Sequence, residues 1–240
     1  MVMRTVEEKR ERAFERFNIH HRIQHIMMFT SFILLALTGL AIKYNESAYA
    51  AVLTNIFGGF DSMYRAHLVG AVVMLASCAY HLLYLLVYAV WRREISTAVF
   101  PTPQDVKDLF QNLSYNLGLT KQRPEFDRYS YKEKFDYWAV FWGIFIMGGS
   151  GLIIWFPGIA TRYFPRWLID SAREAHAEEA MLAILAIFIW HMYNVHFNPR
   201  FFPMSRVWLD GKISEELMEE EHPKELRRLL RQKGEQPDEG

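Results

Sequence analysis

Of the nine histidines, His25, His67, His81, His176 and His191 lie within or next to four long stretches that contain no Lys, Arg, Asp or Glu. An imidazole can bind a metal or transfer a proton near neutral pH. Ionisable side chains in such apolar surroundings are rare and indicate function by default. The spacing of these histidines therefore limits the chemistry they can perform.

The spacing places the histidines at two levels. His67 and His81 are 14 residues apart, which on an α-helix gives about 21 Å of rise and lies within about 40° of four full turns. His176 and His191 are 15 apart, about 22 Å in depth and about 60° from alignment. We name these the outer level, with His67 and His176, and the inner level, with His25, His81 and His191.

Imidazoles that face each other in pairs, one pair at each level, are what two bis-histidine haems require, and helix bundles commonly hold cofactors on inward-facing side chains. A separation of about 21 Å is far too wide for one zinc ion, and the uncharged stretches contain no carboxylate ligands. The alternative for any single histidine is a hydrogen bond between helices.

Small and basic residues flank these positions. Glycines that could leave room for a macrocycle are Gly39, Gly70, Gly148, Gly149 and Gly151. Haem propionates need cations. Arg65 and Arg173 precede the outer histidines, and Arg22 precedes His25, so these arginines are candidate propionate contacts.

The elements that must position these side chains are four membrane spans, predicted at about residues 23–42, 66–91, 137–161 and 178–198. A helix that crosses a hydrocarbon layer of about 30 Å needs about 20 apolar residues, and helices of a soluble bundle would instead show a polar face. Lys and Arg number 22 in the two tails and the middle loop, against 5 in the other two loops. This bias predicts that both termini are cytoplasmic, in a bacterial inner membrane.

The composition excludes several classes of protein. The 27 Lys and Arg balance 27 Asp and Glu, whereas a nucleic-acid-binding protein should carry a basic surplus. A single cysteine, Cys78, excludes an internal disulfide framework and an iron–sulfur cluster held by the chain's own thiolates.

Two further helices are predicted outside the spans. Residues 105–117 form an amphipathic pattern with one apolar face, which is typical of a helix that lies along the membrane interface. Residues 213–232 are dense in charge and predict a solvated tail helix with a break near Pro223. The predicted domains are a transmembrane four-helix domain at 1–200 and a charged cytoplasmic tail at 201–240.

Several segments together resemble a known family. In chain order they are residues 22–25 (Arg-Ile-Gln-His), 37–39 (Leu-Thr-Gly), 65–67 (Arg-Ala-His), 128–130 (Arg-Tyr-Ser), 150–157 (Ser-Gly-Leu-Ile-Ile-Trp-Phe-Pro), 163–165 (Tyr-Phe-Pro) and 221–223 (Glu-His-Pro). They resemble the γ subunit of membrane-bound formate dehydrogenases, a dihaem cytochrome b, and more loosely the cytochrome b of nickel–iron hydrogenases. The resemblance implies an all-α integral membrane four-helix bundle with an interfacial helix and a cytoplasmic C-terminal helix.

The resemblance also implies ligands. By it, His67 and His176 bind the outer haem b, and His25 and His191 bind the inner one. His81 has no counterpart in the formate dehydrogenase subunit, which spaces its fourth-helix histidines 14 residues apart. Cytochromes b of the quinol:cytochrome c type use paired histidines on two helices, so His81 with His191 remains an alternative inner pair.

The resemblance places a quinone, menaquinone or ubiquinone, beside the inner haem in contact with the loop before the third span. The matching positions here are Ser130 and Lys132, and His196 is a further polar candidate near the quinone. We therefore expect the membrane subunit of a respiratory oxidoreductase that transfers electrons between this quinone and an extracytoplasmic iron–sulfur or cytochrome c type partner. The half-reaction is either quinone reduction or quinol oxidation. The alternatives are a non-redox membrane anchor, or a quinol-oxidising cytochrome b that feeds an external multihaem cytochrome.

Overall fold

The computed structural model describes residues 6–92 and 97–235. This part of the chain is mostly helical. In order, its α-helices are α1 (Val6–Glu11), α2 (Ile19–Lys43), α3 (Ala48–Ile56), α4 (Phe60–Val87), α5 (Pro103–Asn116), α6 (Tyr131–Trp155), α7 (Pro157–Tyr163), α8 (Arg166–Leu185), α9 (Val207–Asp210), α10 (Glu215–Glu221) and α11 (Pro223–Gln232). Two three-residue strands, β1 (Ala13–Glu15) and β2 (Lys212–Ser214), form an antiparallel ribbon.

Helices α2, α4, α6 and α8 are long and apolar enough to cross a membrane. Helix α4 continues into a π-helical turn at Tyr88–Arg92, and α8 continues through π-helical segments at Ala186–His191 and Tyr193–Phe197. Their apolar side chains face outward: Phe145, Phe188 and Ile189 are each about 70% exposed. Such surfaces exceed what a soluble monomer exposes, so the helices suit lipid. The predicted all-α integral membrane bundle is confirmed.

The ends of the spans differ from the predicted ones. Helix α6 ends at Trp155 rather than Thr161, because Pro157 starts the separate helix α7. Proline is tolerated at the first turn of a helix but lacks the N–H that would continue one. Helix α8 begins at Arg166, so His176 lies inside a helix rather than just before a span.

Residues 20–92 and 139–205 form one compact unit, which contains the apolar helices. Within it, the connection between α2 and α4 is itself helical. Ser47 accepts a hydrogen bond from the Ala50 backbone N–H and so caps α3. The side chains of Ala41, Ala50 and Met63 pack together where α2, α3 and α4 meet.

Residues 6–19, 97–138 and 206–235 form the second compact unit. The region predicted as one solvated helix at 213–232 is instead strand β2 followed by α10 and α11. The two helices are separated at His222, in agreement with the predicted break before Pro223. This region has its own hydrophobic core, formed by Phe14, Ile213, Met218, Leu226 and Leu230. Burial of these apolar side chains stabilises the contact between the two ends of the chain.

A buried ionic network joins three segments of this second unit. Arg16 is 5% exposed and donates to the Glu225 carboxylate at 2.6 Å and to the Glu133 carboxylate at 2.8 Å. Arg128 donates to the other Glu225 oxygen at 2.9 Å. Charge-assisted hydrogen bonds of this kind are about twice as strong as neutral ones. The network therefore ties the N-terminal segment and helix α11 to the segment before α6.

His222 completes the network as a neutral imidazole. Its Nδ1 lies 2.7 Å from the Asp127 carbonyl oxygen, and its Nε2 lies 3.1 Å from the Arg16 guanidinium. Since the carbonyl can only accept and the guanidinium can only donate, Nδ1 carries the proton and Nε2 does not. Burial is the largest effect on the pKa of His222 and lowers it; the negative charge of Glu133 opposes this effect, and the positive charge of Arg16 adds to it.

Helix α5, Pro103–Asn116, contains all but the last of residues 105–117, which were predicted to form the amphipathic helix. Thr102 and Asp105 form a capping box at its start, and Asp105 also accepts a hydrogen bond from Lys134 at 2.8 Å. Its apolar residues Val106, Phe110 and Leu113 are at least half exposed. This exposed apolar face is what an interfacial helix requires.

Candidate haem-binding site

The outer histidines are half-buried on α4 and α8, close enough for the charge on one ring to affect the other. The structure thus brings together the two residues predicted for the outer level. At the same end of the unit, Lys43 at the end of α2 forms a 2.7 Å ion pair with Glu178, two residues past His176. This contact links α2 to the helix that carries His176.

Each outer histidine forms a hydrogen bond to a hydroxyl on the preceding span. His67 Nδ1 lies 2.9 Å from Thr38 Oγ1, and His176 Nδ1 lies 3.1 Å from Ser150 Oγ. The use of Nδ1 in these bonds leaves Nε2 as the nitrogen that can bind iron. Metal-ligating histidines almost always donate their other ring N–H to an oxygen, so this donor set fits a bis-histidine haem.

A glycine follows each hydroxyl and lies directly against the ring. A Cβ added to Gly39 would lie 3.3 Å from Cε1 of His67, and one added to Gly151 would lie 3.1 Å from Cε1 of His176. Distances this short are tighter than ordinary carbon–carbon contact, so only glycine fits without displacing the ring. The pair Thr38–Gly39 on α2 thus contacts His67, and the pair Ser150–Gly151 on α6 contacts His176.

The other three glycines do not contact a histidine. A Cβ on Gly70 would meet the side chains of Leu34 and Leu35, and one on Gly148 would meet Leu75. Gly149 has no atom within 4 Å of its added Cβ. Gly70 and Gly148 therefore serve close helix packing, which is common for glycine in membrane helices.

At the inner level, the structure places His25 of α2 within electrostatic reach of both His191 and His196. His81 has a different environment, because its Nδ1 lies 3.0 Å from Oε1 of Gln24. His25 and His191 are thus brought together, whereas His81 contacts the residue next to His25. Gln24 is buried and uncharged, so the sequence gives no indication of its contact with His81.

The π-helical geometry explains how His196 comes beside His191. On an α-helix a residue five positions later points about 140° away, but a π-helix closes its turn at i to i+5. The two rings are accordingly 6.5 Å apart between centroids, in an edge-to-face arrangement. Such wide turns occur frequently at functional sites.

Buried polar atoms without a hydrogen-bond partner in the described part of the chain collect at this inner end. They are Arg22 Nε, Gln24 Nε2 and His196 Nδ1. A buried polar group costs free energy unless it is paired. A bound polar group, such as a haem propionate or a quinone oxygen, would satisfy these atoms.

The remaining predicted residues lie at the surface or in the second unit. Arg65 and Arg173 are exposed, and Arg65 donates to Ser62 Oγ at 3.0 Å. Ser130 is buried and caps α6: its backbone N–H and hydroxyl both contact Glu133 Oε2, at 2.7 and 3.0 Å. The Ser-x-x-Glu pattern is a sequence signature of such a cap. Lys132 is half-buried and is the second residue of the same helix.

Comparison with known proteins shows the family of the chain. A family model described as prokaryotic cytochrome b561 matches residues 16–207. The cytochrome b556(Fdn) subunits of the nitrate-inducible formate dehydrogenases of Escherichia coli (strain K12), Escherichia coli O157:H7 and Shigella flexneri are each 26% identical over 129 residues. That alignment covers 54% of this chain and 57% of each relative, little more than half of their length. The family match, in contrast, includes all four spans and both histidine levels, and the chain belongs to the prokaryotic cytochrome b561 family.

Proposed function

We propose that this protein is the dihaem membrane subunit of a respiratory oxidoreductase. Membership of a cytochrome b family implies haem b. The observation that carries the proposal is the outer pair, in which each imidazole is held through Nδ1 by a hydroxyl and packed on a glycine. A histidine that only joined two helices by a hydrogen bond would not need to leave Nε2 available for a metal. Both outer histidines leave Nε2 available in this way.

His67 and His176 would hold the outer haem, and His25 and His191 the inner one. His25 lies within electrostatic reach of His191, which supports this inner pair. His81 Nδ1 is held by an oxygen of Gln24, as the outer histidines are held by hydroxyls, so His81 with His191 stays the alternative inner pair. Arg22, with a buried unpaired Nε, is the candidate propionate contact at the inner level, and exposed Arg65 and Arg173 are the candidates at the outer level. Haem iron, when bound, carries one electron at a time between its ferric and ferrous states.

Two levels about 21 Å apart along a helix would let electrons cross most of a bilayer. The excess of Lys and Arg in the tails and middle loop supports cytoplasmic termini and an inner level at the cytoplasmic face of the bacterial inner membrane. Since the single cysteine cannot by itself hold an iron–sulfur cluster, the electron partner at the outer level would be an external iron–sulfur or cytochrome c type subunit. The relatives' name, a formate dehydrogenase subunit, supports a dehydrogenase as that partner.

A membrane quinone, menaquinone or ubiquinone, would react at the inner level. His196 is the strongest candidate for a polar contact to a quinone oxygen, because its Nδ1 is buried and unpaired in the described chain and its ring adjoins His191. Lys132 is a second candidate. Ser130 has a structural role as the cap of α6, so a quinone contact there would have to share its hydroxyl with Glu133.

The test is an anaerobic reduction of the purified chain by a quinol analogue, followed by visible spectroscopy. The proposal predicts a b-type reduced-minus-oxidised spectrum and reduction by quinol that slows in His196→Phe. His20→Phe is the matched control, since His20 is also on an inner helix end but bonds to Tyr80. A chain without haem would instead support a membrane anchor, and haem that quinol cannot reduce would contradict the quinone site.

A further inference from the structure

We propose that Thr38 and Ser150 are positioning residues that fix the orientation and tautomer of His67 and His176 and thereby lower the reduction potential of the outer haem. The inference rests on the proposed function, in which these histidines bind that haem. It assigns a role to two residues that would act on the iron only through the histidine to which each one bonds.

Thr38 is fully buried on α2. Its hydroxyl donates to the Leu34 carbonyl oxygen, one turn earlier, at 2.6 Å. A hydroxyl has one proton and two lone pairs, so once that proton is used the Thr38 oxygen can only accept from the ring nitrogen 2.9 Å away. Nδ1 of His67 must therefore carry the proton, which fixes Nε2 as the iron-binding nitrogen.

Ser150 repeats this arrangement on α6. Its hydroxyl donates to the Ile146 carbonyl oxygen at 2.7 Å and accepts from Nδ1 of His176 at 3.1 Å. One difference is that the bond between Ser150 and His176, at 3.1 Å, is longer than the bond between Thr38 and His67, at 2.9 Å. The serine bond is therefore expected to be the weaker of the two.

These bonds act on the iron through the ring. An oxygen that accepts from Nδ1–H raises the basicity of the imidazole, and a more basic ligand favours the ferric over the ferrous state. Removal of the acceptor should therefore raise the potential of the outer haem alone. A single neutral hydrogen bond is worth at most about a factor of ten in an equilibrium, which sets the upper limit of the effect.

The experiment is a potentiometric titration of the purified chain, read from the haem spectrum, for Thr38→Val, Thr38→Ser and Ser150→Ala. Thr38→Val should shift the ferric–ferrous equilibrium of the outer haem by about threefold to tenfold toward ferrous, where tenfold is 59 mV for one electron. Thr38→Ser should keep the wild-type potential because it keeps the hydroxyl. Ser150→Ala should give a smaller shift, since its bond to the histidine is the longer one.

Ser31→Ala is the matched control. Ser31 lies two turns earlier on α2, is likewise buried, and donates to the Met27 carbonyl oxygen at 2.7 Å, but it bonds to no histidine. If the wild-type chain binds two haems and Thr38→Val titrates like Ser31→Ala, or shifts the inner haem equally, the positioning role is wrong while the proposed function stands. If the wild-type chain binds no haem, the proposed function itself fails.

Discussion

Of the two glycines beside the outer histidines, Gly151 leaves the least room for an added Cβ, and it gives the sharpest prediction. Gly151→Ala would place a methyl group 3.1 Å from Cε1 and 3.5 Å from Nδ1 of the ring. The ring must then retreat by a few tenths of an ångström, although its 3.1 Å bond to Ser150 is already near the upper limit for a hydrogen bond. Overpacking of this kind costs about 1–3 kcal/mol.

If that cost falls on haem binding, affinity for the outer haem drops by roughly 5-fold to 150-fold, since about 1.4 kcal/mol is a factor of ten. The assay is haem per chain together with the amplitude of each haem in a redox titration. Gly39→Ala should be milder, because its added carbon lies 3.3 Å from His67.

Gly149→Ala is the control for these glycine variants. It makes the same change on the same helix, but nothing lies within 4 Å of the new carbon. It should keep both haems and add helix stability of about 0.5–1 kcal/mol. If Gly149→Ala and Gly151→Ala lose the outer haem equally, or if Gly151→Ala keeps full haem occupancy, then glycine is not required beside the His176 ring.

Three other predictions concern the inner level and the ionic network. His25→Ala should abolish the inner haem spectrum and His81→Ala should retain it; the reverse result would assign His81 as the ligand. Arg16→Met should destabilise the second unit by about 1–3 kcal/mol, because one oxygen of buried Glu225 loses its charged partner while Arg128 still pairs with the other. Protease cleavage within residues 6–19 or 206–235 should rise accordingly, and unchanged cleavage would contradict the ion-pair argument. Burial lowers the pKa of His222 in the folded protein. The neutral imidazole therefore stabilises the fold above a pH of about 6.5, the ordinary pKa of histidine, and this stability is lost as the pH falls toward the folded pKa. The same cleavage assay from pH 7 to 5 should show this loss in wild type and not in His222→Gln.

The sequence predicts the spans well because a charge-free run of about 20 residues has few alternatives to a membrane helix. The same uniform hydrophobicity hides how each helix is rotated about its axis, since no polar face marks the side that packs. The roles of Thr38 and Ser150 follow from that rotation. They could therefore not be predicted, although both precede glycines that the sequence analysis singled out.

The structure of the C-terminal region was predicted less well than the spans. Its many charges predict a solvated helix, but Ile213, Met218 and Leu226 are buried against Phe14 from the other end of the chain. A contact between residues so distant in sequence leaves no local pattern. The π-helical turns around His191 are likewise set by packing, which is why the position of His196 beside it emerges only from the structure.

The most direct test of the dihaem arrangement is the haem content of wild type, His67→Ala and His191→Ala, with the potential of each remaining haem. We predict two b-type haems per wild-type chain and one in each variant, with the higher-potential component lost in one variant and the lower-potential component in the other. A single haem in wild type, or loss of the same component in both variants, would contradict binding at two separate levels.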